Sequence, residues 1–368
     1  FFLMWWVPPG GTGFRFWYFV LASVLFQVFF TTANLPYSTL TAELTQDYDE
    51  RTDLTTFRLA FSVTGAIAAL ALGLVVSGQV ADEQTQYVII GGLCAAFSVI
   101  PLLVCVFGTW PHARRVQALN AAQPQTEATP DMPFLQQLRV ALSNRAFLYV
   151  VGIYLFAWLA LQITASIIPF YAVFWMGLDS YFLPALLVQG TAIIMMFVCN
   201  LISRRIGKKK LFFLGMGVWL VAQISLFFLQ PGQELALYGL CIMASFGVAT
   251  AYVVPWAMLP DVIELDELKT GQRREGVFYA FMTLLQKVGL ALGLFLVGLA
   301  LEWSGFVAEA ETQADSALTA IRAFMGPMPM VLLIGGMVLC YFYPITREIH
   351  AEVLLKLAER RRSALKGE

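Results

Sequence analysis

The residue of this chain most suited to bind a ligand or ion is Lys287, a lysine inside an apolar stretch that runs from about Gly276 to Trp303. If that stretch is a helix, the lysine lies about 16 Å from its start, close to the middle of a lipid bilayer. An ammonium at that depth costs roughly 2.5 to 3.5 kcal/mol, so it normally faces a protein interior or a watery cavity and binds a partner. We interpret Lys287 as a functional cation at a cavity. The alternative, a lysine that reaches the headgroups along its stem, suits a position nearer the helix end.

Three predicted helical faces combine polar and aromatic side chains. Because residues spaced by three, four and seven positions share one side of a helix, each set would line one surface. The sets are Gln27, Thr31 and Asn34; Tyr154, Trp158, Gln162 and Ser166; and Tyr279, Thr283, Gln286 and Lys287. Together they predict a cavity with hydroxyl, amide and aromatic groups on its walls. Hydrogen bonds between helices, which are common in membrane bundles, are the structural alternative for any single Gln or Thr.

The composition is that of a membrane protein with many helices. Hydrophobic residues make up 59% of the 368 residues, charged residues 13%, and the mean hydropathy is +0.72. Several apolar runs are long enough to cross a bilayer as helices. The five cysteines lie in apolar runs without metal-ligand spacing, and the sequence contains no HExxH, GxSxG or Walker A motif. We therefore expect a protein that is not an enzyme, has no resident cofactor or metal and binds no nucleic acid.

The apolar runs predict an all-α protein with nine complete transmembrane helices, preceded by a stub at residues 1–7. The spans are expected at about 14–40, 56–80, 86–107, 146–176, 181–202, 211–229, 235–259, 276–302 and 318–343. Residues 108–145, rich in Ala, Gln, Pro and Thr at their centre, predict a cytoplasmic linker between two helical domains, 1–107 and 146–343. Phe1 already lies in an apolar run, so we expect the chain to be truncated at its N-terminus.

Charge divides the connecting segments into two alternating sets. Lys and Arg concentrate in one set, which includes the RIGKKK segment and the tail at residues 344–368, whereas Asp and Glu dominate the other set. By the positive-inside rule the first set is cytoplasmic, and so is the C-terminus. In the tail, one helical face carries Ile349, Val353, Leu354 and Leu357 beside basic residues. This pattern predicts either a helix on the cytoplasmic surface or a solvated terminus.

An internal repeat relates two parts of the chain. NLPYSTL at Asn34–Leu40 and VVPWAML at Val253–Leu259 share a proline, an aromatic and a small residue, and an aspartate follows each, at Asp47 and Asp266. The offset is 219 residues between both the prolines and the aspartates. We expect each copy to end a span and to be followed by an acidic loop. Equivalent spans that lie six helices apart predict two six-helix bundles related by an axis along the membrane normal, of which this chain retains helices 4 to 12.

Two long motifs carry a family resemblance. They are NLPYSTLTAELTQDYDERT at Asn34–Thr52 and LPDVIELDELKTGQRREG at Leu259–Gly276, with Lys287 at a characteristic spacing after the second. Over essentially its whole length the sequence resembles the glycoside-pentoside-hexuronide:cation symporter family of the major facilitator superfamily, typified by melibiose permease. The resemblance implies the major facilitator fold of two six-helix bundles and secondary active transport.

The same resemblance implies roles for individual residues. Lys287 matches a lysine that links the cation and sugar sites, Thr31 a threonine of the cation site, and Arg58, allowing one gap, an arginine that contacts sugar. Asn34, Ser38 and Tyr252 stand where melibiose permease has an aspartate, a tryptophan and another aromatic residue, which departs from a galactoside site. The expected substrate-binding residues are Asn34, Ser38, Arg58, Tyr252, Thr283 and Lys287, and Thr31 is the expected cation-binding residue.

Charged segments at equivalent positions of the repeat are expected to form a cytoplasmic gate, closed by ion pairs in the outward-open state. The predicted gate residues are Asp47, Arg51, Asp261, Glu264, Asp266, Glu267 and Arg273. Because exposed ion pairs contribute only about 0 to 1 kcal/mol, a solvated run of charges is the alternative. No carboxylate lies deep in a predicted span, so we expect the anionic partner of Lys287 on the helices that precede this chain.

The predicted function is cation-coupled symport of a sugar or glycoside by alternating access. Carboxylates and hydroxyls suit Na⁺ as the coupling ion, with H⁺ and Li⁺ as alternatives. We expect a monomer in a bacterial inner membrane that binds a small-molecule substrate within the lipid bilayer. A sodium-coupled transporter of lysophospholipids or other amphiphiles, from the same family, is the closest alternative. A membrane enzyme and a non-transporting sensor or scaffold are further alternatives.

Overall fold

The structure, a computed structural model, describes residues 1–44, 48–121, 142–270, 275–308, 310, 312–345 and 347–366. Among these, side chains are not described at 35, 36, 38–44, 48–60, 63, 111–121, 275, 276, 347, 358 and 360–366. The described residues form helices and turns and no strand, which confirms the predicted all-α class. The chain divides into unit 1, Phe1–Asp131, and unit 2, Met132–Glu368.

Unit 1 contains a short 3-10 turn at Phe2–Met4 and three long helices: α1 (Thr12–Leu44), α2 (Tyr48–Ser77) and α3 (Glu83–Ala121). The N-terminal turn is held against both α1 and α3. The Tyr18 hydroxyl donates a hydrogen bond to the Leu3 carbonyl at 2.8 Å, and the Trp5 ring stacks on Tyr87 with centroids 6.1 Å apart. A side chain at Gly91 would overlap the Trp5 ring, so the glycine lets this turn approach α3 closely.

Two helices of unit 2, α4 and α7, are the most deeply buried of its candidate spans. Of the most apolar 18-residue window in each helix, 61% is buried in α4 and 56% in α7, against 22% in α8. The helices are α4 (Arg145–Phe170) with a π-helical turn at Tyr171–Trp175, α5 (Phe182–Ile206), α6 (Lys208–Phe228), α7 (Glu234–Thr270), α8 (Glu275–Trp303), α9 (Asp315–Met325), α10 (Pro327–Phe342) and α11 (Arg347–Lys366). α8 packs on α4, and its buried side chains include Phe278 and Met282, both 0% exposed.

Glycines set the closest approaches between the helices of unit 2. A Cβ added at Gly247 of α7 would lie 2.3 Å from Trp219 Cβ of α6, and one at Gly215 of α6 would lie 2.1 Å from the Thr250 hydroxyl of α7. The absence of these side chains lets the two backbones pack together, as small residues do in other membrane bundles.

Eight helices of the described residues are long and apolar enough to cross a membrane. They match eight of the nine predicted spans, and the described apolar part of α2, Thr64–Ser77, is shorter than a span. The last span, Asp315–Phe342, is interrupted at Gly326, where α9 ends and Pro327 begins α10. Proline suits the first position of a helix because no intrahelical amide bond is needed there.

The predicted end of α7 at Pro260 is wrong. The helix continues through Pro255 and Pro260 to Thr270, so the acidic residues expected in a loop are on its last turns. Proline removes a backbone donor and pushes on the preceding turn, which usually ends or kinks a helix. Here the Lys208 ammonium donates a hydrogen bond to the Ala257 carbonyl at 2.7 Å, next to the second proline. A tertiary contact thus supports the backbone at the point where the local pattern predicted a stop. Similarly, α1 continues past Pro36 to Leu44.

The end of α6 remote from Lys208 is capped by side chains. Four consecutive carbonyls, from Leu226 to Leu229, accept hydrogen bonds from other residues. The donors are the Tyr171 hydroxyl (2.7 Å), Arg322 (2.9 Å), Gln230 (3.1 Å) and the Trp175 indole (2.9 Å), in the order of the carbonyls. Two of these donors come from the π-helical turn after α4 and one from α9, so this end of α6 is fastened to two other helices.

The tail forms a helix, α11, at Arg347–Lys366. Val353 and Leu357 are buried at 5% exposure, whereas Ile349 and Leu354 on the predicted apolar face are 42% and 43% exposed. Half of that face therefore packs against protein. Lys209 also fixes the segment before α11, because its ammonium donates hydrogen bonds to the Tyr341 and Tyr343 carbonyls.

Candidate functional site

Lys287 lies in the middle of α8, twelve residues after Glu275 and sixteen before Trp303, or about 18 Å and about 24 Å from the two ends. Its side chain is exposed. Within the part of the chain that the structure describes, no carboxylate forms an ion pair with it. Lys287 is therefore an exposed lysine in the middle of a long apolar helix.

Five aromatic side chains form a continuous wall beside this part of α8; we call Tyr154, Trp158, Tyr252, Trp256 and Tyr279 the aromatic wall. Tyr154 stacks on Trp158 and meets Trp256 edge-on, at centroid distances of 5.7 and 5.9 Å. Trp158 meets Tyr252 edge-on at 5.7 Å, and Trp256 stacks on Tyr279 at 6.2 Å. Exposure rises from 0% at Tyr154 to 39% at Tyr279. The wall thus extends from the core of unit 2 to an exposed ring on the helix that carries Lys287.

Trp158 connects the aromatic wall directly to the backbone of α8. Its indole N–H donates a hydrogen bond to the Gln286 carbonyl at 3.0 Å. One turn further along α8, a Cβ added at Gly289 would lie 2.8 Å from Trp158 Cδ1. The glycine leaves room for the ring, so α4 and α8 approach closely beside Lys287.

Among the predicted substrate-binding residues of unit 2, Tyr252 and Thr283 accompany Lys287. Tyr252 belongs to the aromatic wall and is half-buried. Thr283 is exposed one turn before Lys287, and its hydroxyl donates to the Tyr279 carbonyl at 2.9 Å. The oxygen of that hydroxyl retains acceptor capacity for a ligand.

The predicted residues of unit 1 lie on α1 and α2. Thr31 is exposed and lines an open groove on α1 with Ser23, Val24, Gln27, Val28 and Thr32. Asn34 is exposed on the same helix. Ser38 and Arg58 have helical backbones on α1 and α2, but their side chains lie outside the described residues.

Acidic residues near the end of α7 form a second polar region, in which Asp261 is the most buried member. Both carboxylate oxygens of Asp261 accept hydrogen bonds from the Lys208 ammonium of α6, at 2.6 and 2.8 Å. Only 8% of the Asp261 side chain is exposed, against 34% of the Lys208 side chain. Because the charged carboxylate is largely removed from water, this ion pair and its hydrogen bonds compensate for the lost solvation.

His350 of α11 joins the same region. Its Nε2 lies 2.5 Å from Glu264 Oε2 and 3.4 Å from Asp261 Oδ1. Asp261, Glu264 and His350 thereby bring three potential metal-ligand atoms within 4.8 Å of one another. Since Lys208 already contacts both oxygens of Asp261, we interpret this group as a polar cluster that connects α11 to α7. We call Lys208, Asp261, Glu264 and His350 the α7 cluster.

The other predicted gate residues are distributed around this end of α7. Asp266 is 6% exposed and accepts a hydrogen bond from the Asn144 amide at 3.2 Å, while Asn144 also caps the start of α4. Glu267 is half-buried. Arg51 has a helical backbone but no described side chain, and Asp47 and Arg273 lie outside the described residues. The described partners of the acidic residues thus come from unit 2 itself.

Several residues of these regions were not predicted as site residues. The basic segment before α6 was interpreted only as an orientation signal, although Lys208 pairs with Asp261 from 53 residues away. His350 could have been singled out, because it shares a helical face with Val353 and Leu357. Trp158 was predicted on a polar face, but its contact with the backbone of α8 depends on tertiary packing that no spacing along the chain reveals.

Comparison with known proteins identifies the family. The family described as MFS/sugar transport protein matches residues 1–347. An uncharacterized symporter of Synechocystis sp. is 40% identical, with 95% of this chain and 78% of that protein aligned. The sodium-dependent lysophosphatidylcholine symporter 1 of Mus musculus is 25% identical, over 95% of this chain and 70% of that protein. The sphingosine-1-phosphate transporter of Xenopus tropicalis is 24% identical, over 97% of this chain and 73% of that protein.

The match covers nearly all of the chain, and the helical architecture with its eight candidate spans agrees with it. The relatives are membrane transporters, and two of the three carry the name symporter. The chain therefore belongs to the MFS/sugar transport family, the melibiose permease-like symporters of the major facilitator superfamily.

Proposed function

We propose that this protein is a cation-coupled symporter whose transported solute contacts Lys287 and the aromatic wall. The observation that carries the proposal is an exposed ammonium halfway along an apolar helix, beside exposed aromatic and hydroxyl groups and without an ion-pair partner among the described residues. A charge at bilayer depth is costly unless it belongs to a solute or ion pathway. Alternating access, in which two bundles move around a site near the midplane, is the mechanism that suits this family.

A sugar or glycoside is the first candidate substrate. Aromatic rings offer flat apolar faces to the C–H surface of a sugar ring, while the lysine ammonium and the Thr283 hydroxyl offer hydrogen bonds to its oxygens. Tyr279 is the exposed ring of the aromatic wall and lies two turns before Lys287 on α8. The description of the matching family, MFS/sugar transport protein, supports this candidate.

A lysophospholipid is the second candidate, favoured by the relatives of known name. An ammonium pairs well with a phosphate group, and a choline headgroup also carries a quaternary cation that aromatic rings attract. Leu284 and Val288, both exposed, are the chain neighbours of Thr283 and Lys287 and could accompany an acyl chain. The same arrangement therefore suits either solute, and an experiment must separate them.

We further propose Na⁺ as the coupling ion, with Thr31 among its ligands. A hydroxyl oxygen is a suitable ligand for a hard cation, and the mouse relative is named as sodium-dependent. H⁺ and Li⁺ are the alternatives. We expect the protein to function as a monomer in a bacterial inner membrane, with its C-terminus in the cytoplasm, as the distribution of Lys and Arg predicts.

Uptake by the purified protein in lipid vesicles tests these proposals. We expect a radiolabelled sugar or glycoside from a panel to accumulate when an inward Na⁺ gradient is imposed, and labelled lysophosphatidylcholine to be the competing positive result. Substituting Lys287→Ala is expected to reduce kcat/KM by about tenfold or more, equivalent to about 1.4 kcal/mol or more.

The matched control is Lys356→Ala. Lys356 is an exposed lysine of α11 paired with Glu352, and its loss should leave uptake unchanged. Accumulation of the lysophospholipid but not of any sugar would favour the second candidate. Vesicles that accumulate neither solute under Na⁺, Li⁺ or H⁺ gradients, or equal uptake by the Lys287→Ala variant, would contradict the proposal.

A further inference from the structure

The indole of Trp158 forms a hydrogen bond to the peptide unit of α8 that directly precedes Lys287. The carbonyl of Gln286, which accepts the Trp158 N–H at 3.0 Å, belongs to the peptide bond that joins Gln286 to Lys287. In a regular helix this carbonyl already accepts the amide four residues later, so the indole is an additional donor. Its contact is therefore not needed to satisfy the carbonyl; it links the backbone at Lys287 to another helix.

The indole ring of Trp158 is restrained by the side chains that surround it. Trp158 is 8% exposed, and Tyr154 and Tyr252 contact its ring from two directions. On the side of α8, Gly289 leaves room for the ring, and any larger residue there would overlap Trp158 Cδ1. The indole thus has a single orientation set by α4, α7 and α8.

Before Lys287, α8 is held by Phe278 and Met282, both 0% exposed, and Phe278 meets Phe147 of α4 edge-on at 4.8 Å. As a whole, however, α8 is lightly buried. Its most apolar window is only 22% buried, and the Lys287 side chain forms no ion pair with a carboxylate of the described residues. The rotation of α8 about its own axis therefore decides where the ammonium lies relative to the aromatic wall. A hydrogen bond to the adjacent carbonyl adds a directional contact that restrains this rotation next to Lys287.

We propose that Trp158 is a positioning residue for Lys287: its indole N–H sets the rotation of α8 and so places the ammonium for the solute. The inference rests on the proposed role of Lys287 in solute binding. Trp158 acts through the backbone, and it affects transport by way of the lysine rather than by touching the solute with its N–H.

The first test compares two Trp→Phe variants of the intact protein in vesicles. Trp158→Phe removes the N–H and keeps an aromatic ring. Trp175→Phe is the matched control, because Trp175 donates an equivalent hydrogen bond, at 2.9 Å to the Leu229 carbonyl, away from Lys287. We expect Trp158→Phe to raise the KM for the solute about threefold to tenfold with little change in kcat, as expected for a lost hydrogen bond, and Trp175→Phe to leave the KM unchanged.

The second test uses the Lys287→Ala background. If Trp158 works through Lys287, Trp158→Phe should change the KM by less than about twofold once the lysine is gone, whereas independent contributions would multiply. Gly289→Ala should reproduce the effect of Trp158→Phe in the wild-type background, because its methyl displaces the ring. Gly293→Ala is its control: it introduces a similar overlap, with Gln162 at 2.8 Å, one turn further along α8.

The outcomes separate the inference from the proposed function. Equal KM values for Trp158→Phe and Trp175→Phe, with Lys287→Ala still impaired, would overturn the positioning role and leave the proposed function intact. Fully multiplicative effects of Trp158→Phe and Lys287→Ala would also overturn it. Normal uptake by Lys287→Ala would instead reject the role of the lysine. A structural role alone would lower the apparent Tm of both Trp→Phe variants and leave both KM values unchanged.

Discussion

Two lysines near apolar helices have opposite environments in unit 2. The Lys208 ammonium donates hydrogen bonds to both carboxylate oxygens of Asp261 and to the Ala257 carbonyl, so it has three acceptors in the protein. Lys287 has no ion-pair partner among the described residues and is exposed. The first lysine forms an ion pair within the protein, whereas the second is the residue that we propose to bind the solute. That both residues are lysines does not by itself distinguish these two environments.

We expect Lys208→Met to destabilise the protein by roughly 1 to 3 kcal/mol. The substitution leaves the Asp261 carboxylate largely buried without the Lys208 cation. The expected loss in the free energy of unfolding is moderate because 34% of the Lys208 side chain is exposed to solvent. The double variant Lys208→Met/Asp261→Asn should lose less than the sum of the single variants, because it removes both charges. The apparent Tm of the purified protein in detergent measures these differences.

Lys356→Ala provides the comparison for this cycle. Lys356 pairs with Glu352 on the surface of α11, with both side chains more than half exposed, so its loss should change stability by less than about 0.5 kcal/mol. Equal decreases in the apparent Tm for Lys208→Met and Lys356→Ala would contradict a stabilising role for the Lys208–Asp261 pair.

At this scale, the sequence makes the position of Lys287 in an apolar run visible but does not reveal which charged residues pair with each other. A charge in a long apolar run is visible without a structure, and so are Tyr279 and Thr283 on the same helical face. The pairing of Asp261 with Lys208 and of Glu264 with His350 joins residues 53 and 86 positions apart. Such contacts depend on how helices pack, which a single sequence does not encode locally.

At the scale of helices, two glycines of α7 differ in what surrounds them. Gly247 packs against Trp219 of α6, where a Cβ would lie 2.3 Å from another side chain, whereas a Cβ at Gly239 would meet nothing within 4 Å. We expect Gly247→Ala to destabilise unit 2 by about 1 to 3 kcal/mol, because the helices must separate. Gly239→Ala should be neutral or stabilising by up to about 1 kcal/mol, because alanine loses less backbone entropy than glycine.

Thermal unfolding of the two variants in detergent tests this difference. A helix-propensity effect alone would move both apparent Tm values upward, whereas the packing contact predicts shifts of opposite sign. Unchanged stability of Gly247→Ala would mean that α6 and α7 are not in close contact in the folded protein.

Helix positions were predictable from apolar runs, but several helix ends were not. Proline at 260 predicted the end of a span, yet α7 continues to Thr270 because Lys208, His350 and Asn144 contact its last turns. Conversely, one predicted span is two helices, α9 and α10, because Gly326 interrupts it. Local propensity gives the start and stop signals of a helix, and tertiary contacts can override them.

For the whole molecule, the charge distribution predicts which loops face the cytoplasm. Arg204, Arg205 and three lysines lie around the junction of α5 and α6, whereas the α6–α7 connection at 229–233 contains no charged residue. By the positive-inside rule we expect the α5–α6 junction and the C-terminus to be cytoplasmic and residues 229–233 to be external. Green fluorescent protein fused after Glu368 should fluoresce, and alkaline phosphatase inserted at Gly232 should be active.

Reversed reporter activities would show that the orientation is inverted. Active phosphatase fused at both sites would show that the number of spans between them differs from the structure. The experiment needs no transported solute, so it tests the topology independently of the proposed function.

The all-helical membrane architecture and the family followed from composition and two motifs. The substrate did not follow, because Asn34 and Ser38 depart from the galactoside pattern and the aromatic wall suits several solutes. The repeat predicts a relationship between α1 and α7, and both helices do continue past their matching prolines. Substrate specificity depends on the side chains at the binding site, and these differ among proteins that share the same fold.

The four capped carbonyls at the end of α6 have a consequence for the lipid around the protein. α6 has 21 residues, about 31 Å of helix, which is close to the thickness of the hydrocarbon layer. A bare helix end would have to reach water, so a thicker bilayer would force tilting or local thinning. Because Tyr171, Trp175, Gln230 and Arg322 supply donors there, the carbonyls of Leu226 to Leu229 can lie at the level of the acyl chains while the rest of the α6–α7 connection reaches water. The protein should therefore tolerate lipids of increasing chain length with little change in stability.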